Sequence, residues 1–184
     1  LLCDAGAEYG FYASDITRTW PTNGRFSKAQ RELYDIVLAA QLECIGKAAV
    51  GVAYDVIHQA AVQVITDGLL SLGLLKGSLK KNIESAAYKK FYMHKTGHWI
   101  GLDVHDVGEY KLGGSSRLLE PGMVFTVEPG LYIAPGTPGV PDKYQGIGIR
   151  IEDDVLMTAK GPEVLSDGVP KTVEAIESLM ASAR

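Results

Sequence analysis

The chain has 184 residues, of which 46% are hydrophobic and 22% charged, and its formal net charge is −4. That length suits one well-packed domain, and the mildly acidic balance leaves no electrostatic footprint for nucleic acid. No stretch approaches the roughly 20 apolar residues that span a bilayer, so neither nucleic acid nor membrane is an expected partner.

The opening "LLCDAG" starts inside an apolar run that reads as a strand already under way, and the chain is expected to be the C-terminal piece of a longer polypeptide. Residues 1–4 and 11–20 read as two strands joined by the turn-prone "AGAEYG", giving a hairpin. Ser27 and Gln30 have capping-box spacing and open a helix with Leu33, Ile36, Val37, Ala40 and Cys44 on one stripe, interrupted by Gly51. A second helix is predicted from Asp55 to Leu72, with Ile57, Ala61, Val64 and Ile65 in period and an end near Gly73. His58 falls at a polar position of this helix and is expected on the surface.

Lysines 76, 80, 81, 89 and 90 form a basic run on a short helical or loop connector, read as a solvated face. "MVFTVEPG" (123–130) and "GIGIRIEDDVLMT" (146–158) look like strands around a Pro- and Gly-rich loop, and an amphipathic helix is predicted from Val173 to Ala183. Helices and strands in mixed order, with hairpin-like strand spacing, favour an α+β fold. Two cysteines make no disulfide framework; Cys44 on its helical stripe reads as a reduced buried thiol, so a cytoplasmic setting is expected.

The informative residues are acids inside strand-like segments. Alternation groups Glu152 with Gly148 and Arg150, Glu128 with Val124 and Thr126, and Asp15 with Thr17 and Thr19. Buried carboxylates pair, neutralise or coordinate metal. Separate salt bridges to Arg18 and Arg150 are one reading. The other takes Asp4, Asp15, Glu128 and Glu152 with His98 as a set whose four negative charges offset two divalent cations, with oxygen-rich ligation favouring Mn²⁺.

"DAGAEYGFYASDITRTW", "GHWIGLDVHDVG", "EPGMVFTVEPGLY" and "GIGIRIEDD", in that order, resemble the pita-bread metallopeptidases, and within them the bacterial Xaa-Pro aminopeptidases (aminopeptidase P). The resemblance covers nearly the whole chain. It implies that residues 1–184 are the C-terminal portion of one pita-bread catalytic domain, whose first half and N-terminal domain lie upstream. If these residues were the whole molecule, weak activity and exposed apolar surface would be expected.

It further implies two metal ions, Mn²⁺ first and Co²⁺ or Zn²⁺ as alternatives, on Asp4, Asp15, His98, Glu128 and Glu152, with Asp15 and Glu152 bridging. The implied reaction is hydrolysis of the N-terminal Xaa-Pro bond by a metal-bridging hydroxide, on peptides with proline in second position, in a full-length protein that forms homo-oligomers. His105 is implied to contact substrate and stabilise charge, His94 to line the proline pocket, Arg150 to orient carboxylates, and Tyr132 to stand near the reacting groups. Trp99 reads as packing, and Asp103 and Asp106 as loop-fixing residues. Alternatives are a prolidase restricted to dipeptides, a non-catalytic peptide-binding relative, and creatinase-like C–N hydrolysis. His94, His98 and His105 lie close enough in sequence to raise a three-histidine site of the kind that holds zinc; the carboxylates favour one ring, His98, as the ligand.

Overall fold

The computed structural model describes residues 1–182. Its elements in chain order are β1 (Leu2–Asp4), β2 (Glu8–Tyr9), β3 (Tyr12–Ala13), β4 (Thr17–Thr19), α1 (Lys28–Lys47), α2 (Asp55–Ser71), α3 (Leu79–Glu84), β5 (Lys111–Leu112), β6 (Ser115–Ser116), β7 (Val124–Val127), β8 (Gly130–Tyr132), β9 (Gly148–Arg150), β10 (Asp153–Thr158), β11 (Gly161–Val164) and α4 (Val173–Ser182). Helices and antiparallel strands are mixed, as the α+β expectation has it. The predicted end of the last helix, Ala183, lies outside the described residues. No helix among the described residues is long and apolar enough to cross a membrane.

The capping box forms as the spacing predicts: the Gln30 amide donates to Ser27 Oγ at 3.2 Å and the Ser27 amide to Gln30 Oε1 at 2.8 Å. Leu33, Val37, Ala40 and Cys44 then face inward with no exposed surface. Burying each large side chain of this kind contributes about 1.5–3 kcal/mol. The α1 helix ends at Lys47, ahead of Gly51, whose φ of +82° serves the following turn. It packs on α2, where Gly68 leaves room for Ile36, and across β7, β8 and β9. The Cys44 thiol is free and buried, with a pKa pushed up to about 12 by burial. The lysine-rich connector resolves into α3 and a 3₁₀ turn at Ala87–Lys90.

Two hairpins carry the predicted acids, and both depart from the sequence expectation in the same way. In the first, the turn lies at Gly10–Phe11, both with positive φ, and not across residues 5–10. Asp4 pairs with Thr17 and Glu8 with Ala13 in one continuous antiparallel register. The predicted strand 11–20 is interrupted at residues 14–16, because there the ladder partners include side chains: the Ala7 amide takes Ser14 Oγ at 2.8 Å.

The second hairpin repeats this. Val127 pairs with Asp153 and Gly130 with Arg150, again in one register. The predicted strands 123–130 and 146–158 are each broken, at Glu128–Pro129 and at Ile151–Glu152. Proline has no N–H for the ladder, and the Glu152 amide turns to Thr17 O at 3.0 Å, joining the two hairpins. Thus Asp15, Glu128 and Glu152 lie at interruptions and Asp4 at a strand end, where side chains escape strict alternation.

Residues 96–100 run along the free side of β7: Thr126 N donates to His98 O at 2.9 Å and Glu128 N to Thr96 O at 2.7 Å. Gly97 permits that approach, since a Cβ there would stand 1.9 Å from Thr126 O. Replacing Gly97 with Ala is therefore expected to cost about 1–3 kcal/mol or more, read as a lowered urea midpoint at unchanged m-value.

Candidate metal centre

The interruptions bring the acids together. His98, Glu128 and Glu152 form one group whose donor atoms lie within 4.8 Å of one another, and Asp4, Asp15 and Glu152 form a second. The two groups share Glu152. Asp15, His98 and His105 form a third, so His105 also stands within ligand reach. Asp103 and Asp106 are in none of these groups; Asp106 accepts from the Val107 amide at 2.9 Å and steadies its loop.

The His98 ring is oriented by Nδ1, which donates to the Trp99 carbonyl at 2.9 Å. That leaves Nε2 aimed at the acids, 3.4 Å from Asp15 Oδ2 and 3.9 Å from Glu128 Oε1. His105 stacks edge-on against it with ring centroids 4.5 Å apart. Trp99 itself packs, lying parallel to Tyr110 at 5.3 Å and buried in the core.

Arg150 ties the acids to the aromatic side. Its Nη2 donates to Asp4 Oδ2 at 2.6 Å, its Nε to Thr17 Oγ1 at 3.0 Å and its Nη1 to Tyr132 OH at 3.2 Å. The Thr17 hydroxyl in turn donates to Glu152 Oε2 at 2.5 Å. Tyr132 OH reaches His94 Nε2 at 2.8 Å, and His94 Nδ1 donates to Lys95 O at 2.6 Å, so this ring is fixed at both nitrogens.

The electrostatics show too many carboxylates for the cations present. Burial, then the Glu128 carboxylate, pushes Glu152 up to about 8; burial pushes Glu128 up to about 7. Asp4 is raised by burial and by Asp15. Burial acts to raise Asp15, but the hydrogen bonds with His98 and Asp4 and the nearby imidazole charge together outweigh it and hold its pKa low. The His98 imidazolium is favoured against burial by Asp15, with a pKa of about 9. This donor set of hard oxygens and one imidazole, with unbalanced negative charge, fits a pair of divalent cations.

A cavity of about 740 Å³ opens beside the cluster, lined on one side by His94, His98, His105, Glu128 and Arg150 and on the other by Tyr54, His58 and Tyr110. His58 corrects the sequence reading. It is half-buried on the cavity wall, with Nδ1 2.8 Å from Thr96 Oγ1, and burial lowers its pKa to about 4. Asp4 departs in the other direction, being more exposed than its strand-like context implies. Arg18 does not pair with the cluster carboxylates; it binds Asp153 Oδ1 at 2.7 Å and meets Glu152 only at its main-chain carbonyl. Sequence reasoning also passed over Thr17, Asp153 and Asp154. The run of three acids in "IEDD" was the available signal, since Asp153 and Asp154 are both buried.

An α+β frame of two interrupted hairpins meets at a carboxylate-rich cluster, in the pita-bread fold shared with the solved structures described next. The profile of Metallopeptidase family M24 matches residues 1–159, and the chain belongs to that family. It is 51% identical over 184 residues to the Xaa-Pro aminopeptidase of Escherichia coli K12, covering all of this chain and 41% of that protein. It is 50% identical over 180 residues to the Xaa-Pro aminopeptidase of Haemophilus influenzae, covering 98% of this chain and 41% of that protein. Among solved structures, Pseudomonas aeruginosa aminopeptidase PepP superposes with a TM-score of 0.98 at 57% identity, over 99% of this chain and 41% of that one. Zn-substituted E. coli aminopeptidase P in complex with product gives 0.95 at 51% identity, over 100% and 41%. The chain thus spans about two fifths of the length of these relatives.

Metal uptake by this cluster must displace protons from Glu128, Glu152 and His98, whose pKa values are raised to about 7, 8 and 9. Divalent-cation affinity is expected to rise between pH 6 and 9, by about tenfold per pH unit for each proton displaced. Calorimetry in buffers of different ionisation enthalpy checks this, and an affinity flat with pH would refute it.

Proposed function

We propose that this chain forms part of a two-metal aminopeptidase that removes the N-terminal residue from peptides with proline in second position. The observation that carries the reading is the pair of donor groups meeting at Glu152 on the edge of the cavity. Asp4, Asp15 and Glu152 would hold one cation, and His98, Glu128 and Glu152 the other, with Asp15 reaching both. When bound, such cations polarise a scissile carbonyl and lower the pKa of a coordinated water. Mn²⁺ suits the oxygen-rich set, and Co²⁺ or Zn²⁺ can occupy the same ligands.

The chain's own groups supply the rest. Arg150 holds Asp4 directly and Glu152 through the Thr17 hydroxyl, so their oxygens keep a fixed orientation. His105, edge-on to His98 and facing the cavity, is placed to donate to charge developing on the carbonyl oxygen. Proline makes a tertiary amide without an N–H, so a site selective for it works by shape. The ring of His94, pinned between Lys95 O and Tyr132 OH, offers a rigid wall for that purpose. The names of the Xaa-Pro aminopeptidase relatives support the choice of substrate. The free thiols Cys3 and Cys44 fit a reducing cytoplasmic setting. The full-length protein is read as a homo-oligomer, and exposed Tyr9, Phe11 and Val107 fit burial against the rest of that protein or a second copy.

His98→Ala is expected to lower metal occupancy, whereas His105→Ala should leave occupancy intact and reduce turnover by about 10²–10⁴-fold. Elemental analysis alongside hydrolysis of an Xaa-Pro-Yaa tripeptide reads both effects; equal loss of metal in the two variants would refute the division of roles. Activity on an Xaa-Pro dipeptide but not on the tripeptide would replace this reading with a prolidase.

A further inference from the structure

We propose that Asp154 is a positioning residue that fixes the ligand Asp15 through its main chain. The inference rests on the metal reading of Asp15 and Glu152 given above.

Asp15 lies at the interruption of the first hairpin. A main-chain N–H in such a place must find a partner or carry the cost of burial unpaired. The partner of the Asp15 amide is Asp154 Oδ2, at 3.1 Å. Asp154 stands two residues beyond Glu152 on β10 and is 5% exposed. Its own backbone is tied on both sides, since its amide donates to Ser166 Oγ at 3.2 Å and its carbonyl accepts from Leu165 at 2.9 Å. The acceptor offered to Asp15 is therefore held in place.

Strand alternation separates the two acids that follow Glu152. Asp153 binds Arg18, Gln41, Ser166 and Lys171, and Asp154 points to the Asp15 amide. The second oxygen of Asp154, Oδ1, is buried without a partner among the described residues. Leaving it so is unfavourable for folding, and a valine would fill the space without that cost. The retained oxygen makes sense as an acceptor that holds the segment 14–16, and with it the carboxylate of Asp15, at a set distance from Glu152. Groups that orient metal ligands in this way typically change affinity 10–100-fold when removed.

The test compares Asp154→Val, which keeps volume without an acceptor, with Asp154→Asn, which keeps the acceptor. Should D154V not fold, Asp154→Ala, which also lacks a side-chain acceptor, takes its place. Mn²⁺ calorimetry is expected to show affinity about 10–100-fold weaker in D154V and near wild type in D154N. The visible bands of bound Co²⁺ should change in D154V only, and the Asp15 amide of the metal-free protein should exchange faster in D154V only. A D154V protein that melts earlier but keeps its Mn²⁺ affinity and Co²⁺ spectrum overturns the proposal, as does a D154N protein as impaired as D154V. If the wild-type protein takes up no cation, the functional reading above fails, and exchange at Asp15 then decides the anchoring by itself: protection kept in D154N and lost in D154V upholds it, and protection equal in both overturns it.

Discussion

Glu128 and Glu152 face each other across the second hairpin. Extending the Val127–Asp153 and Gly130–Arg150 register through the gap sets these two residues directly opposite. Side chains in that relation stand about 4.5–5.5 Å apart at Cβ, and like charges there repel. Burial makes the repulsion stronger, because less water screens it. Burial favours the protonated form of both carboxyls, and the Glu128 charge adds to this at Glu152. A cation between them turns the same geometry into an attraction. The backbone accommodates the pair by giving up its ladder at Glu128–Pro129 and Ile151–Glu152, and the Glu152 amide is satisfied by the neighbouring hairpin.

The surrounding structure keeps this unstable arrangement in place. The helix α1 packs across β7, β8 and β9 with Leu33, Val37 and Ala40 fully buried, and α2 packs on α1. On the near side, a chain of polar contacts runs from His94 through Tyr132 and Arg150 to Asp4. Shape and charge are thereby connected: the group that holds Asp4 also holds the tyrosine that fixes the His94 ring.

Local rules were readable from the residues. The Ser27 capping box and the stripe through Leu33 and Cys44 follow from spacing and polarity within short windows. The five ligand candidates are acids in apolar company plus His98, and they converge in overlapping groups. What the sequence concealed depends on partners far along the chain. Interruptions at residues 14–16, 128–129 and 151–152 arise because one strand changes partner, and alternation within that strand carries no trace of it. His58 looks like a polar position on a helix until residues 94–98 fold against it. Arg18 was offered to the cluster acids, yet Asp153, one residue beyond Glu152, takes it; which of three adjacent acids a distant guanidinium meets is a matter of strand facing.

That guanidinium has a wider consequence. Arg18 donates to the carbonyls of Thr17, Glu152, Val169 and Pro170 as well as to Asp153. A lysine has neither the planar fork nor enough donors to reproduce this. Lys171 meets the same Asp153 carboxylate, and the helix α4 begins just beyond it. Among the described residues the C-terminal stretch sends no side chain into the cluster, yet through the buried Arg18 it shares a joint with Glu152. A disturbance at residues 169–171 would therefore be transmitted to the carboxylate cluster as a change in the footing of a single carboxylate.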